Sequence, residues 1–217
     1  MKNINFAVIL FLFFSGLTYA QEDIIFRHPL RAQTEETFLA VCQRISQHPF
    51  MRGNFEQERL LSRLDRTLRS SGSFLIAANM GMVWDTINPF PSTLVLGGDF
   101  LMQSRSGGQK TVISAQGNEA FLRMAEVIST VFSGNARALV DNFKVYFVGS
   151  TAFWELGLIP QDRAINAFAE RIIMRGDTVI RSIQVFEQSG DSIKYILLNH
   201  NFPTGLNADE QAHFRID

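Results

Sequence analysis

The feature that most limits how this chain can fold is a series of turn signals at short spacing between residues 70 and 108. Ser70-Ser71-Gly72, Asn79-Met80-Gly81, Asn88-Pro89, Gly97-Gly98-Asp99 and Gly107-Gly108 punctuate the stretch, and the runs between them are rich in Phe, Ile, Val, Leu and Trp. Gly, Pro, Asn and Ser favour chain reversals, whereas β-branched and aromatic side chains suit a pleated surface. Runs repeating every roughly 8–12 residues predict short strands in an antiparallel sheet or barrel. Residues 55–59 alternate poorly and give no such signal. Before the series, Phe38, Val41, Cys42 and Ile45 recur at helical spacing behind Thr34-Glu35-Glu36. That pattern predicts a helix with Thr34 as N-cap, ending before Pro49. After it, Phe121, Met124, Ile128, Val131 and Phe132 predict a second helix, with a further turn or two over 135–142. Strands return at 143–150, 152–159, 168–175, 178–188 and 192–201, and Gly190-Asp191 reads as a tight hairpin connection. Helix, strands, helix, strands is a mainly β (α+β) order, not a β-α-β alternation.

Residues 1–20 read as a cleaved signal peptide. Lys2 supplies a positive start, residues 6–14 (FAVILFLFF) an apolar core, Gly16 a break and Ala20 a small residue before the cut. An uncleaved anchor is the alternative, disfavoured because the apolar run is short for a span and Gln21-Glu22-Asp23 follow it. Cys42 is not placed directly after the leader, where an acylated cysteine would stand, so the expected product is one soluble exported domain over residues 21–217. A single cysteine among 217 residues excludes an internal disulfide and multi-cysteine metal sites. Lying on the apolar face of its helix, Cys42 reads as a buried, inert thiol. With 20 Lys and Arg against 21 Asp and Glu, the chain lacks the electrostatic footprint of a nucleic-acid binder or of a polybasic membrane patch.

The spacings that carry catalysis are missing. There is no G-x-S-x-G elbow, H-E-x-x-H, phosphate loop or C-x-x-C. His28, His48, His200 and His213 are scattered. Asp85 and Glu155 each follow a tryptophan and could form a glycosidase-like pair; the competing reading puts both on the solvated face of strands whose other face carries Trp84 and Trp154. No catalytic residue, metal or cofactor is expected. What the chain has in surplus is apolar side chains, including 20 phenylalanines and 7 methionines. These fill an ordinary core or line a hollow barrel that takes an apolar ligand.

One set of residues bears on that choice. Arg52-Gly53-Asn54-Phe55-Glu56-Gln57-Glu58-Arg59, then Ser70-Ser71-Gly72-Ser73-Phe74, then Gly81-Met82-Val83-Trp84-Asp85-Thr86 with Pro89, resembles the N-terminal half of the LolA-like outer-membrane lipoprotein carriers. Trp154-Glu155-Leu156, the run from Arg181 to Glu187, Gly190-Asp191 and Asn201-Phe202 are similar to the second half. The resemblance implies an open, unclosed antiparallel β-barrel with a helical lid around an apolar cavity. It implies a monomeric periplasmic carrier that shields the acyl chains of lipoproteins, or similar lipid cargo, between an inner-membrane release complex and an outer-membrane acceptor. The family's Arg-Pro pair before the tryptophan, associated with latching the lid, is replaced here by Ala78-Asn79. The lid is therefore expected to be held by apolar packing of Phe121, Met124, Ile128 and Phe132.

Strand alternation then selects the cavity wall: Phe74 and Ile76, Met82 and Trp84, Leu94 and Leu96, Trp154 and Leu156, Ile183 and Val185, with Met102 beside them. Each of these also reads as plain core, and an error of one residue in phase would turn a whole set outward. Two other functions stay open at this point. The same fold could serve as a lipid-sensing adaptor that signals to a membrane regulator, although no second domain follows Asp217 to transmit a signal. A secreted hydrolase would need a constellation assembled only in space.

Overall fold

The computed structural model describes residues 24–78, 80–105, 110–114 and 119–215, with backbone alone for 119–124 and 126. A turn of 3₁₀ helix at Ile24–Arg27 leads into α1 (Ala32–Ser46). Six strands follow as a meander: β1 (Phe50–Leu61), β2 (Arg66–Ala77), β3 (Gly81–Asn88), β4 (Ser92–Leu96), β5 (Phe100–Arg105) and β6 (Lys110–Ser114). Helices α2 (Glu119–Ser133) and α3 (Ala136–Asn142) interrupt the strands. Then come β7 (Phe143–Gly149), β8 (Trp154–Pro160), the short α4 (Arg163–Asn166), β9 (Arg171–Gly176), β10 (Ile180–Phe186), β11 (Ser192–Asn201) and α5 (Ala208–Ala212).

All eleven strands join one antiparallel sheet in the order β6-β5-β4-β3-β2-β1-β11-β10-β9-β8-β7. β1 is the seam: it pairs with β2 on one side and with the last strand, β11, on the other. β6 and β7 are the two free ends, so the sheet curls without closing. The chain leaves one end at β6 and returns at the other as β7, and α2 and α3 bridge the interval. This is the mainly β, unclosed barrel with inserted helices expected from the sequence. The β7 end is shielded by the segment before α1, where Leu30 N–H donates to the Val145 carbonyl (3.0 Å) and Phe147 N–H to that of His28 (3.0 Å).

Local expectations were met unevenly. α1 carries its apolar stripe inward, with Phe38, Val41 and Cys42 buried, but its N-cap lies three residues before the expected one. Arg31 is the N-cap and Thr34 lies inside the first turn, its hydroxyl accepting from the Arg31 N–H at 3.2 Å. A threonine oxygen can satisfy an orphan donor from that position as well as from the cap. Ser70-Ser71-Gly72 is not a turn. It lies within β2, where the register with β3 shifts between Ser71 and Gly72. A Cβ at Gly72 would overlap the Asp85 carbonyl of β3, so this glycine allows a bulge and close approach. The reversal before β2 is instead at Ser62–Leu64, closed by Asp65 in the left-handed region (φ 46°). Residues 55–59, which gave no signal, belong to the central strand β1.

The concave face of the curl holds the main core, which joins buried residues of α1, α2 and α3 to inward positions of nearly every strand, including Phe55, Phe74, Phe147, Trp154 and Leu197. Two smaller clusters sit on the convex face. Leu75, Val83, Val95 and Phe100 are covered by Leu206 and Phe214 flanking α5. Ile25 of the N-terminal 3₁₀ turn clusters with Tyr146 and Ile173, and Phe26 packs against them. Gly134 ends α2 with φ 63°, and a Cβ there would overlap the Cys42 carbonyl, so a larger residue would push α2 and α3 off α1.

A candidate acyl-binding cavity under α2

Between α2 and the curled sheet lies a cavity of about 460 Å³, open to solvent. One wall is Met82, Trp84 and Thr86 of β3, Ser92 and Leu94 of β4 and Gln103 of β5. The opposite wall is Ile183 and Val185 of β10 with Ile193 and Tyr195 of β11. Val127, Ile128, Val131 and Phe132 of α2 form the roof, and α4 contributes Ile165 with Phe168 and Ala169 just beyond it. The walls face each other because β1 and β11 pair at the bottom of the curl, with Gln57 of β1 between them. Both walls follow the two-residue period of their strands: Trp84 pairs with Leu94, and Val185 with Ile193.

Trp84 organises the floor. Its ring stacks on Phe55 (centroids 4.1 Å apart, 26° between planes) and more loosely on Phe74 (5.9 Å, 20°), and meets Tyr195 edge-on (5.1 Å, 82°). Phe55 beneath it is only 1% exposed, whereas Trp84 itself is half-buried, with one side presented to the hollow. Stacked aromatic rings hold each other in place, so the floor is rigid as well as apolar.

Polar groups gather at one end of the strands, where Thr86, Ser92, Gln103, Gln57 and Glu187 reach the cavity. There Arg59 donates to Glu187 across the β1–β11–β10 seam at 2.9 Å. Burial pushes the Tyr195 phenol above the ordinary tyrosine value, and Glu187 adds to this while Arg59 works against it. The phenol is therefore uncharged near neutrality, and the cavity is an apolar trough with a polar rim. That combination admits a long hydrocarbon whose headgroup stays wet.

The structure brings together only part of the expected wall. Met82, Trp84, Leu94, Ile183 and Val185 line the cavity, as do Ile128 and Phe132 of the expected lid. Phe74 is buried behind Trp84. Ile76 and Leu96 lie further along the same strands, beside a second hollow. Trp154 and Leu156 face the same side of the sheet but are packed in solid core: Trp154 is fully buried and its indole N–H donates to the Asp177 carbonyl at 2.7 Å. Met102 is on the wrong face. It pairs with Val95 and packs into the convex cluster, because Phe100 starts β5 with its side chain outward, one residue out of the assumed phase. The side chains of Phe121 and Met124 lie outside the described residues. Ala78, at the place of the family's latch arginine, is exposed in the β2–β3 turn, its N–H donating to the Pro49 carbonyl at 2.8 Å; Asn79 lies outside the described residues.

Sequence reading missed Gln57, Gln103, Glu187 and Tyr195, since polar residues on an inward face look like loop or solvent face. Asp85 and Glu155 both point to the convex side. Asp85 accepts from the Thr93 hydroxyl at 2.7 Å, and Glu155 is held by both arms of Arg175 (2.9 and 3.2 Å). Among the described residues no group of three His, Cys, Asp or Glu side chains is arranged to hold a metal ion. None of the helices there is long and apolar enough to cross a membrane.

Over residues 46–210 the sequence matches the family described as outer membrane lipoprotein carrier protein LolA, and the chain belongs to that family. The family is one of carriers, and the resemblance seen in the sequence is thereby established. Similar solved structures include a putative outer membrane lipoprotein-sorting protein domain from Vibrio parahaemolyticus, at 12% identity and a TM-score of 0.40, with 84% of this chain and all of that one covered. A LolA superfamily protein from Nitrosomonas europaea matches at 9% identity and a TM-score of 0.43, over 80% of this chain and 96% of that one. The Pseudomonas aeruginosa MucA/MucB complex matches at 13% identity and a TM-score of 0.37, over 86% of this chain and 62% of that one. No curated protein matches the sequence significantly.

Proposed function

We propose that this protein is a periplasmic carrier that takes the acyl chains of lipoproteins, or of similar lipids, into the cavity under α2 and carries them from the inner to the outer membrane. In this reading residues 1–20 are the export signal and are removed. The observation that carries the proposal is the cavity itself: about 460 Å³, walled by apolar side chains from both halves of the sheet and left open. That volume falls within the roughly 300–1,000 Å³ typical of small-molecule sites. Hydrocarbon exposed to water costs about 0.8 kcal/mol per CH₂, so cargo crossing an aqueous space needs such a container. Release needs a roof that yields. Position 78 carries no arginine, and among the described side chains of α2 it is Val127, Ile128, Val131 and Phe132 that pack it onto the core.

The test is to isolate the exported protein from its native compartment and identify bound lipid or lipoprotein by mass spectrometry. Release of lipoproteins from inner-membrane vesicles is then compared for wild type and Trp84→Glu. Bound acyl cargo, with release lost in a folded Trp84→Glu variant, is the expected result. Empty protein that releases nothing, or a folded variant that still carries cargo, would overturn the assignment. Recovery of a membrane-anchored regulator without lipid would favour the adaptor reading.

A further inference from the structure

The cavity under α2 ends at three side chains, and a second hollow begins behind them. This hollow measures about 290 Å³ and opens between the β2–β3 and β4–β5 turns, lined by Ile76, Met80, Leu96, Gly98, Ala125 and Ser129 among others. Met82 of β3 and Ile128 and Phe132 of α2 border both spaces. Each strand places the two in sequence. Along β3, Thr86 and Trp84 face the first hollow, Met82 both, and Gly81 only the second. Along β4, Ser92 and Leu94 face the first and Leu96 the second, with Gly97 just after the strand. The two hollows are therefore successive lengths of one trough crossed by α2, and from the polar rim at Thr86 to Met82 the run is about 13 Å at ~3.3 Å per residue.

We infer that Met82, Ile128 and Phe132 form a gate in this trough, and that the second hollow takes the distal end of an acyl chain too long to finish in the first. The inference rests on the acyl-carrier reading and adds chain-length selection to it. The contact surfaces of the gate residues are hydrocarbon and thioether, so it closes by dispersion contacts alone. Met82 is unbranched, with three rotatable bonds, and can swing aside and repack against a methylene chain at small cost. Ile128 and Phe132 are only partly buried on a helix held by apolar contacts. A short chain stops at the gate, whereas a long one gains burial on both sides of it.

The probes are octyl, dodecyl and hexadecyl phosphocholine, titrated below their micelle concentrations into the full exported protein and followed by tryptophan fluorescence. Two variants block the second hollow from opposite walls. Ser129→Trp grows from an exposed position on α2. Gly98→Phe grows from the β4–β5 turn, where a Cβ meets open space. Wild-type affinity is expected to rise roughly fourfold per methylene through the whole series. Both variants should bind the octyl probe as wild type does and lose at least about tenfold in affinity for the hexadecyl probe. Two results would overturn the gate: a wild-type gain that stops before the longest probe, or hexadecyl binding unchanged in both folded variants. If wild type binds no probe at all, the acyl-carrier reading itself fails and the gate goes with it.

Discussion

Two tryptophans, seventy residues apart in sequence and alike in their local setting, have opposite surroundings. Trp154 of β8 has no exposed surface, its N–H is satisfied by the Asp177 carbonyl, and a Cβ on neighbouring Gly176 would collide with its ring. Trp84 of β3 is backed by Phe55 and faces open space. The difference lies in what covers them. α1 and α3 pack on each other and on β7, where Phe38 meets Phe147 edge-on at 5.8 Å, and α4 packs on β8. Among the described residues, α2 with α4 and its following turn roofs the region between β3–β5 and β10–β11. One continuous sheet thus has a packed end and a hollow end, and the hollow end is where the proposed cargo would lie.

This division predicts unequal consequences for truncating the two rings. Trp154→Ala removes a fully packed ring and a satisfied donor, and should cost about 3–5 kcal/mol in urea unfolding. Trp84→Ala loses stacking on Phe55 and part of its burial, but the space it vacates joins an existing cavity, so its cost should stay under about 2 kcal/mol. Binding should reverse the order, with cargo affinity falling for Trp84→Ala and holding for Trp154→Ala wherever that variant is folded. Equal losses of stability would show that the two ends are packed alike.

Cysteine chemistry probes the same contrast more gently. Burial pushes the Cys42 thiol up to about 12, so at neutral pH it is protonated as well as inaccessible. Cys42 should label with a thiol reagent only as fast as the protein unfolds, and cargo should not change that native-state protection. A new cysteine at Leu94, on the cavity wall, should label rapidly and be protected by a bound alkyl probe. Cys42→Ser puts a hydroxyl in the packed end and should cost about 1–3 kcal/mol. Rapid native labelling of Cys42 would place the hollow at the wrong end.

The sequence made the sheet legible but not its two ends. Alternation correctly turned Met82 with Trp84, Leu94 with Leu96 and Ile183 with Val185 inward, because each pair is apolar on one face and bounded by clear turns. It could not separate Trp84 from Trp154, since wall and core share a period and differ only in which helix lies opposite. It failed on Met102 because β5 is apolar on both faces: Leu101 packs against the concave core and Met102 against the convex cluster. It passed over β1 because Gln57 and Arg59, polar side chains at the cavity rim, erase the alternation there. The bulge at Gly72 looked like a turn because glycine serves both needs.

The smallest effect is expected at the seam, near which β11 carries His200. The ring contacts Phe74 of β2 edge-on (6.0 Å), stacks loosely on Phe202 (6.3 Å), and places Nε2 3.0 Å from the Ile180 carbonyl, with Nδ1 3.5 Å from Arg181. Burial first, then the Arg181 charge, hold its pKa below the ordinary 6.5, although the Ile180 carbonyl and Asp177 oppose them. Asp177 stays ionised through this range: burial works to raise its pKa, but hydrogen bonds from Arg181 and the Val179 N–H, with the Arg181 charge, hold it below the usual value. As pH falls past 6.5 the unfolded chain takes up a proton at this histidine before the folded one does. Its contribution to stability is therefore present above that pH and is lost as pH falls through the folded value. His200→Gln should flatten the fall in urea midpoint between neutral and mildly acidic buffer, leaving cargo affinity at neutral pH unchanged. An undiminished pH dependence in the variant would assign the titration to another group and remove His200 from the seam's energetics.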